Sequence, residues 1–396
     1  MRSFKTLALA TTMLVGAGQM AHAEDIKIGV FLGFTGPIES IVAHMGPAAE
    51  LAIKEVNDSG ALLNGSTVTA VRADTTCIDA AAAVAAAERL ITSDGVSAIV
   101  GGDCSGVTTA ALQNVAVPNG TVMISPSATS PALSTTEDNG LFFRTAPSDA
   151  RQGQIVTDIL MEKGVGEIAI TYTNNDYGKG LADSIETNFK KAGGSVTINA
   201  PHEDGKGDYS AEVGALAAAG GEILVVAGYL DQGGKGVIQA SLDTGAFDAF
   251  YMPDGMVGES IAEALGSDLN NSYGANPGTD SAGAATFAEM ATAGGFKAEA
   301  FAAESYDAAA LIMLAMQAAG SSDSSALKEK VFEVANAPGL QIFPGQLEWG
   351  LKAIAAGIPV DYVGASAVEL IGPGESAGNY RQVSFSDGKI VVDGFR

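Results

Sequence analysis

The residues best placed to do chemistry are hydroxyls and carboxylates that follow short apolar runs. Cys104-Ser105-Gly106 and, about twenty residues on, Ser125-Pro126-Ser127-Ala128-Thr129-Ser130 each come just past such a run. In an open α/β sheet the carboxyl ends of the strands collect ligands, because backbone N–H groups of the following helices converge there and favour an anion. Ser105, Ser127 and Thr129 are therefore candidates for holding a carboxylate. Helix capping is the alternative role for Ser105 and Thr129.

Other chemistries lack their context. Gly374-Glu375-Ser376-Ala377-Gly378 matches the G-x-S-x-G of hydrolase nucleophile elbows, but an elbow follows a strand, opens a helix and precedes its histidine. Here the motif follows Pro373, leads into a strand, and the last histidine is His202. Of the three histidines, His22 lies in an export-like leader, and His44 and His202 have no partner at metal-ligand spacing and are expected on the surface. No Walker A sequence and no strand-borne G-x-G-x-x-G occurs, so no nucleotide cofactor, no metal and no catalysis are expected.

Composition narrows the class further. The 21 Lys plus Arg against 46 Asp plus Glu give a net charge of −25, which argues against nucleic acid or an anionic membrane surface as partner. Arg2 and Lys5, the apolar Leu7–Ala17 run and Ala21-His22-Ala23 read as an export signal over residues 1–23. No later run approaches the ~20 apolar residues of a spanning helix, so no stable membrane insertion is expected. The two cysteines of an exported chain then point to a Cys77–Cys104 disulfide. It would close a loop of about 28 residues, contribute roughly 3–4 kcal/mol in the chain-entropy model, and tether the turn carrying Ser105.

The elements that must position these residues alternate. Strands are expected at Ile26–Phe31, Thr67–Ala73, Ala98–Val100, Thr121–Ile124, Glu167–Tyr172, Ser195–Ala200, Glu222–Ala227 and Ala249–Met252. Helical patterns fill the gaps, at Gly46–Asn57, Asp79–Thr92, Thr108–Val115, Gly178–Ala192, Tyr209–Ala219 and Lys235–Thr244, with Tyr306–Ala319 and Ser325–Val334 later. This is the pattern of βαβ units around mostly parallel sheets. At 396 residues two domains are expected, changing over at Arg144–Asp149 and again within Asn270–Asp280. The segment Tyr380–Phe385, Ser386-Asp387-Gly388-Lys389, Ile390–Val392 reads as a terminal hairpin that crosses back to the second domain.

Taken in order, Ile26-Lys27-Ile28-Gly29-Val30, Thr35-Gly36-Pro37, Gly102-Asp103-Cys104-Ser105, Met123-Ile124-Ser125-Pro126-Ser127-Ala128-Thr129, Phe143-Arg144-Thr145, Asp176-Tyr177-Gly178-Lys179-Gly180, Gly228-Tyr229 and Ser305-Tyr306-Asp307-Ala308 make a chain that resembles the type I periplasmic solute-binding proteins of ABC transporters. The likeness is greatest to those like the leucine/isoleucine/valine-binding protein. The resemblance implies an α/β fold of two Rossmann-like lobes, each a mostly parallel sheet flanked by helices, joined by a three-segment hinge. On this scheme residues 24–146 and 276–365 form the N-terminal lobe, and 147–275 and 366–396 the C-terminal lobe.

It also implies a function: a periplasmic, non-enzymatic monomer that encloses a small amino acid and presents it to an inner-membrane ABC permease. Ser105, Ser127 and Thr129 would hold the ligand carboxylate and Asp254 its ammonium, with Tyr177 and Tyr229 forming the wall. Tyr306 is a further candidate, open between pocket and core, and Phe34 and Thr35 are candidates for the side-chain pocket. Asp231 adds negative charge near Tyr229. The branched-chain binder carries glutamate where this chain has Asp254, so the solute is left open. The alternatives are a small amide, a urea, an aromatic acid, or a sensory ligand-binding role.

Overall fold

A computed structural model describes residues 23–396. The export segment expected at 1–23 lies outside them but for Ala23. Five strands, β1 (Asp25–Leu32), β2 (Thr67–Asp74), β3 (Ala98–Gly101), β4 (Val122–Ser125) and β5 (Phe142–Pro147), run parallel in a first sheet. Five more, β6 (Glu167–Thr173), β7 (Ser195–His202), β8 (Ile223–Ala227), β9 (Phe250–Met252) and β10 (Tyr273–Pro277), run parallel in a second. A small pair, β11 (Leu340–Ile342) and β12 (Val360–Tyr362), stands apart. β3, β4 and β8 are buried along their whole length, as strands covered by helices on both faces must be.

The chain closes with two strand pairs. β13 (Leu370–Ile371) and β14 (Glu375–Ser376) extend the first sheet beside β5, whereas β15 (Tyr380–Ser386) and β16 (Lys389–Phe395) form the expected hairpin on the second sheet, beside β10. This corrects the boundary drawn from sequence at 366. Residues 370–376 belong with the first sheet, where Glu375 meets the buried Arg144, and the last crossing falls between Ser376 and Tyr380. Ser376 sits in a strand and not at a strand-to-helix elbow.

Alanine-rich helices cover the sheets. The Glu39–Ser59 helix buries Ala48, Ala49 and Ala52 and runs along the Ala302–Ala319 helix, which is buried on all sides from Glu304 to Met316. Three crossings connect the lobes: Pro147 into the Asp149–Glu162 helix, β10 toward the Ala282–Ala293 helix, and β14 into β15. The second and third are tied together by the Gly278 N–H donating to Asn379 O at 3.0 Å.

A cleft with hydroxyls on one wall and carboxylates on the other

The carboxyl ends of β3 and β4 face a small cavity between the lobes, lined on the first lobe by Ile38, Ile41, Asp103, Ser105, Ser127 and Phe301. Ser105 opens the helix after β3. Its Oγ accepts the Ser130 N–H at 3.1 Å, which leaves its own proton free to donate. Ser127 Oγ donates to Asp103 O at 3.2 Å.

The loops that carry these hydroxyls are braced from behind. The Cys77–Cys104 disulfide is formed, with Cα atoms 5.1 Å apart, and ties the turn after β2 to the residue before Ser105. Asp103 is buried and accepts from Gly33 N–H at 2.6 Å and Thr75 Oγ1 at 2.7 Å, gathering the ends of β1, β2 and β3 on one carboxylate. Burial pushes its pKa up, and the Thr75 and Gly33 bonds oppose that shift. Arg144, fully buried, donates to the carbonyls of Ala128 and Ser130, both at 2.9 Å, and to Ser134 Oγ and Glu375 Oε2 at 2.7 and 2.5 Å. A guanidinium fork suits several acceptors at once, and here it fixes the backbone on either side of Thr129.

The second lobe supplies the opposite wall: Tyr177, Tyr229, Asp254 and Gly255. Tyr177 and Tyr229 stack at 5.2 Å with ring planes 14° apart. Asp254 is 1% exposed, and its Oδ1 accepts from Tyr177 Oη at 2.6 Å and from Gly255 N–H at 2.7 Å. A Cβ at residue 255 would stand 2.8 Å from Tyr177 Oη and 2.7 Å from Gly228 O, so only glycine lets the tyrosine approach this closely. Burial pushes the Asp254 pKa up to about 6, against the opposing pull of those hydrogen bonds.

A second carboxyl lies beside it. Asp149, wholly buried in the first turn of the Asp149–Glu162 helix, is joined to Asp254 through Gln152. With the amide turned to satisfy both ends, its nitrogen donates to Asp149 Oδ1 at 3.1 Å and Asp254 Oδ1 at 3.3 Å, and its oxygen accepts from Asp254 N–H at 3.2 Å. Burial, and then the charge of Asp254, raises the Asp149 pKa well above the ordinary carboxylate range. The Asp149 N–H donates to Thr129 O at 2.8 Å, so this helix start also clips onto the hydroxyl turn. Thr129 Oγ1 and Asp149 Oδ2 are buried without hydrogen-bond partners.

A model of the periplasmic binding protein family matches residues 25–344. The chain belongs to the periplasmic binding protein family. It is 31% identical over 337 residues to Leu/Ile/Val-binding protein homolog 1 of Brucella abortus, covering 83% of this chain and 88% of that one. It is 28% identical over 352 residues to an amino acid binding protein of Pseudomonas aeruginosa, covering 87% and 91%.

Among solved periplasmic binding proteins, the fold is shared with a branched-chain amino acid transporter substrate-binding protein of Streptococcus pneumoniae in complex with isoleucine. That pair has a TM-score of 0.77, 23% identity, and coverage of 94% and 99%. The fold is shared too with a solute-binding protein of R. palustris in complex with benzoate, with a TM-score of 0.74, 17% identity, and coverage of 94% and 96%.

Within this family fold, Ser105, Ser127, Tyr177, Tyr229 and Asp254 meet at one cavity, with Thr129 on the turn between Ser127 and Asp149. Tyr306 does not join them. It is buried against Phe287, and its hydroxyl donates to Glu55 on the far side of the Glu39–Ser59 helix, so it is a core residue. Phe34 and Thr35 also lie off the cavity: Phe34 packs under the Arg72 guanidinium at 4.9 Å, and Thr35 Oγ1 donates to Asp74 at 2.7 Å.

Asp231 turns away from Tyr229 toward Ser40 and Ser260. His202 is not a surface residue. It is 1% exposed at the end of β7, with Nδ1 2.9 Å from Thr171 Oγ1, and burial lowers its pKa to about 4. Sequence reasoning missed Asp149 and Gln152, and took Asp103 only as part of a motif. The signal for the first two was Pro147-Ser148-Asp149, since Ser148 caps the helix through the Ala150 N–H at 3.3 Å.

Proposed function

We propose that the protein is the periplasmic solute receptor of an ABC importer, and that it encloses a small α-amino acid between its lobes. The observation that carries this reading is the opposition of hydroxyls on one wall to a buried carboxyl on the other, at Ser105 and Ser127 facing Asp254. A zwitterion complements that arrangement at both ends. Its carboxylate meets the Ser105 hydroxyl and the helix-start N–H groups, where charge-assisted bonds contribute about 1.5–3 kcal/mol each. Its ammonium meets Asp254, which would otherwise stay a buried carboxyl with no cation.

The cavity is small and is lined by both lobes, as expected of a site that closes around a single amino acid. Ile38, Ile41 and Phe301 offer its side chain an apolar surface. An aromatic acid, as in the benzoate-bound relative of the fold, has no positive group for Asp254. On this reading the receptor hands on an unchanged solute to an inner-membrane permease, as a monomer.

Closure follows from differential contact: a ligand bound by Ser105 on one lobe gains Asp254 only when the lobes meet. Calorimetric titration of unfolded-and-refolded protein with leucine, isoleucine and valine tests the reading. Binding by the free amino acids and none by benzoate supports it; tight benzoate binding without amino-acid binding contradicts it.

A further inference from the structure

The long helix that opens the first lobe's cavity wall has no cap of its own. Glu39–Ser59 begins after Ile38, whose side chain is apolar, lines the cavity and accepts no hydrogen bond from the helix. Ser, Thr, Asp or Asn is the usual choice there, because the first-turn N–H groups have no intrahelical acceptor. The other lobe supplies the missing acceptor. Asp231, between β8 and the Gly233–Thr244 helix, directs its carboxylate across the cleft. Oδ2 accepts from Ser40 N–H at 3.0 Å and from Ser40 Oγ at 2.8 Å, and Oδ1 accepts from Ser260 Oγ at 3.1 Å. The Asp231 N–H returns a bond to Pro37 O at 3.1 Å.

We propose that Asp231 is a closure residue, a helix cap supplied in trans that is made only when the lobes come together. The sequence gives up a local cap at Ile38, where the cavity needs an apolar wall, and recovers it from the opposite lobe on closing. A negative charge at this end of a 21-residue helix is also favoured by the helix dipole. Opening would return these groups to water, so the clasp contributes to the closed state through atoms no solute touches. Because apparent affinity scales with the fraction of closed, binding-competent protein, Asp231 tunes solute retention while standing outside the ligand's contacts. That second step rests on the solute-receptor reading; the clasp itself does not.

The test has an arm for each. Single-molecule energy transfer between dyes on the two lobes reads closure with no solute present. Asp231→Ala is expected to lower the closed population of the ligand-free chain, Asp231→Asn to lower it less, and an unchanged population overturns the proposal. With L-leucine as probe, Asp231→Ala is expected to speed dissociation by about tenfold, the range of a lost helix cap, with association little changed. Ser40→Ala added to Asp231→Ala should cost little more, since only the Ser40 Oγ contact with Ser260 Oγ at 3.2 Å is left to lose, whereas fully additive losses would overturn the pairing. If leucine does not bind the unaltered protein, the amino-acid reading fails and the ligand-free arm still decides the clasp.

Discussion

Asp254 meets Tyr177, Gly255 and Gln152 in a water-poor corner, and its chemistry sets two expectations at the scale of single residues. Removing the charge by Asp254→Asn is expected to weaken amino-acid binding by ~2–5 kcal/mol, the loss typical of one partner of a buried charge pair. Calorimetry reads this directly, and an unchanged Kd would sink the ammonium assignment. The second expectation is a pH dependence. The free carboxyl has its pKa raised to about 6, and a cationic ammonium favours the ionised form. Affinity should therefore fall by up to about tenfold per unit as pH drops below 6, and level off above it.

For ligand-free stability the sign is opposite. A raised carboxyl pKa contributes stability that is present below the ordinary value of 3.8 and is lost as pH rises through about 6. Titrations between about pH 5 and 7.5 test the binding limb, and a flat profile there would contradict it. Of these residues, Ser105 and Ser127 were legible from strand ends alone, and Asp254 and the tyrosines through family likeness. Tyr306 was left open between pocket and core because a tyrosine at the start of a helix carries no sign of which way its ring points; here the ring meets Phe287.

Elements place those residues, and most were written in the chain as alternating apolar runs and alanine-rich stretches. The Asp149–Glu162 helix was not. Gly153 and the β-branched Ile155, Val156 and Thr157 weaken its intrinsic propensity. Its formation depends on tertiary packing: a Cβ at Gly153 would sit 2.2 Å from Ser184 Oγ on the neighbouring helix. Missing that helix meant missing Asp149 and Gln152. β5 and β10 were hidden for another reason, because each ends in a lobe crossing and reads as a junction.

Two element-scale tests follow. Cys77→Ser with Cys104→Ser is expected to cost ~2–5 kcal/mol of stability and to loosen Ser105, visible as a lower Tm and weaker binding. A Tm unchanged from the parent would contradict the tether. Arg144→Met leaves two carbonyls without their donor and Glu375 without its cation, and is expected to destabilise by ~3–5 kcal/mol, measured by denaturant unfolding. A loss below about 1 kcal/mol would mean that the turn holds itself.

At the scale of the molecule, two sheets with three crossings make a pair of jaws, and the cavity is completed only by both. The doubly wound pattern foretold two lobes, but the path of the third crossing depended on β13 and β14, strands of two residues each. Segments that short have no periodicity to read, and their place beside β5 is fixed by the tertiary pairing of Glu375 with Arg144.

The central claim is that one solute is held at two ends, by hydroxyls on the first lobe and by Asp254 on the second. The most direct measurement is calorimetric titration of ligand-stripped protein with leucine, N-acetyl-leucine and leucinamide side by side. The account predicts binding by leucine at one equivalent, abolished both when the amine is acylated and when the carboxylate is amidated. Equal binding of leucine and N-acetyl-leucine would contradict it.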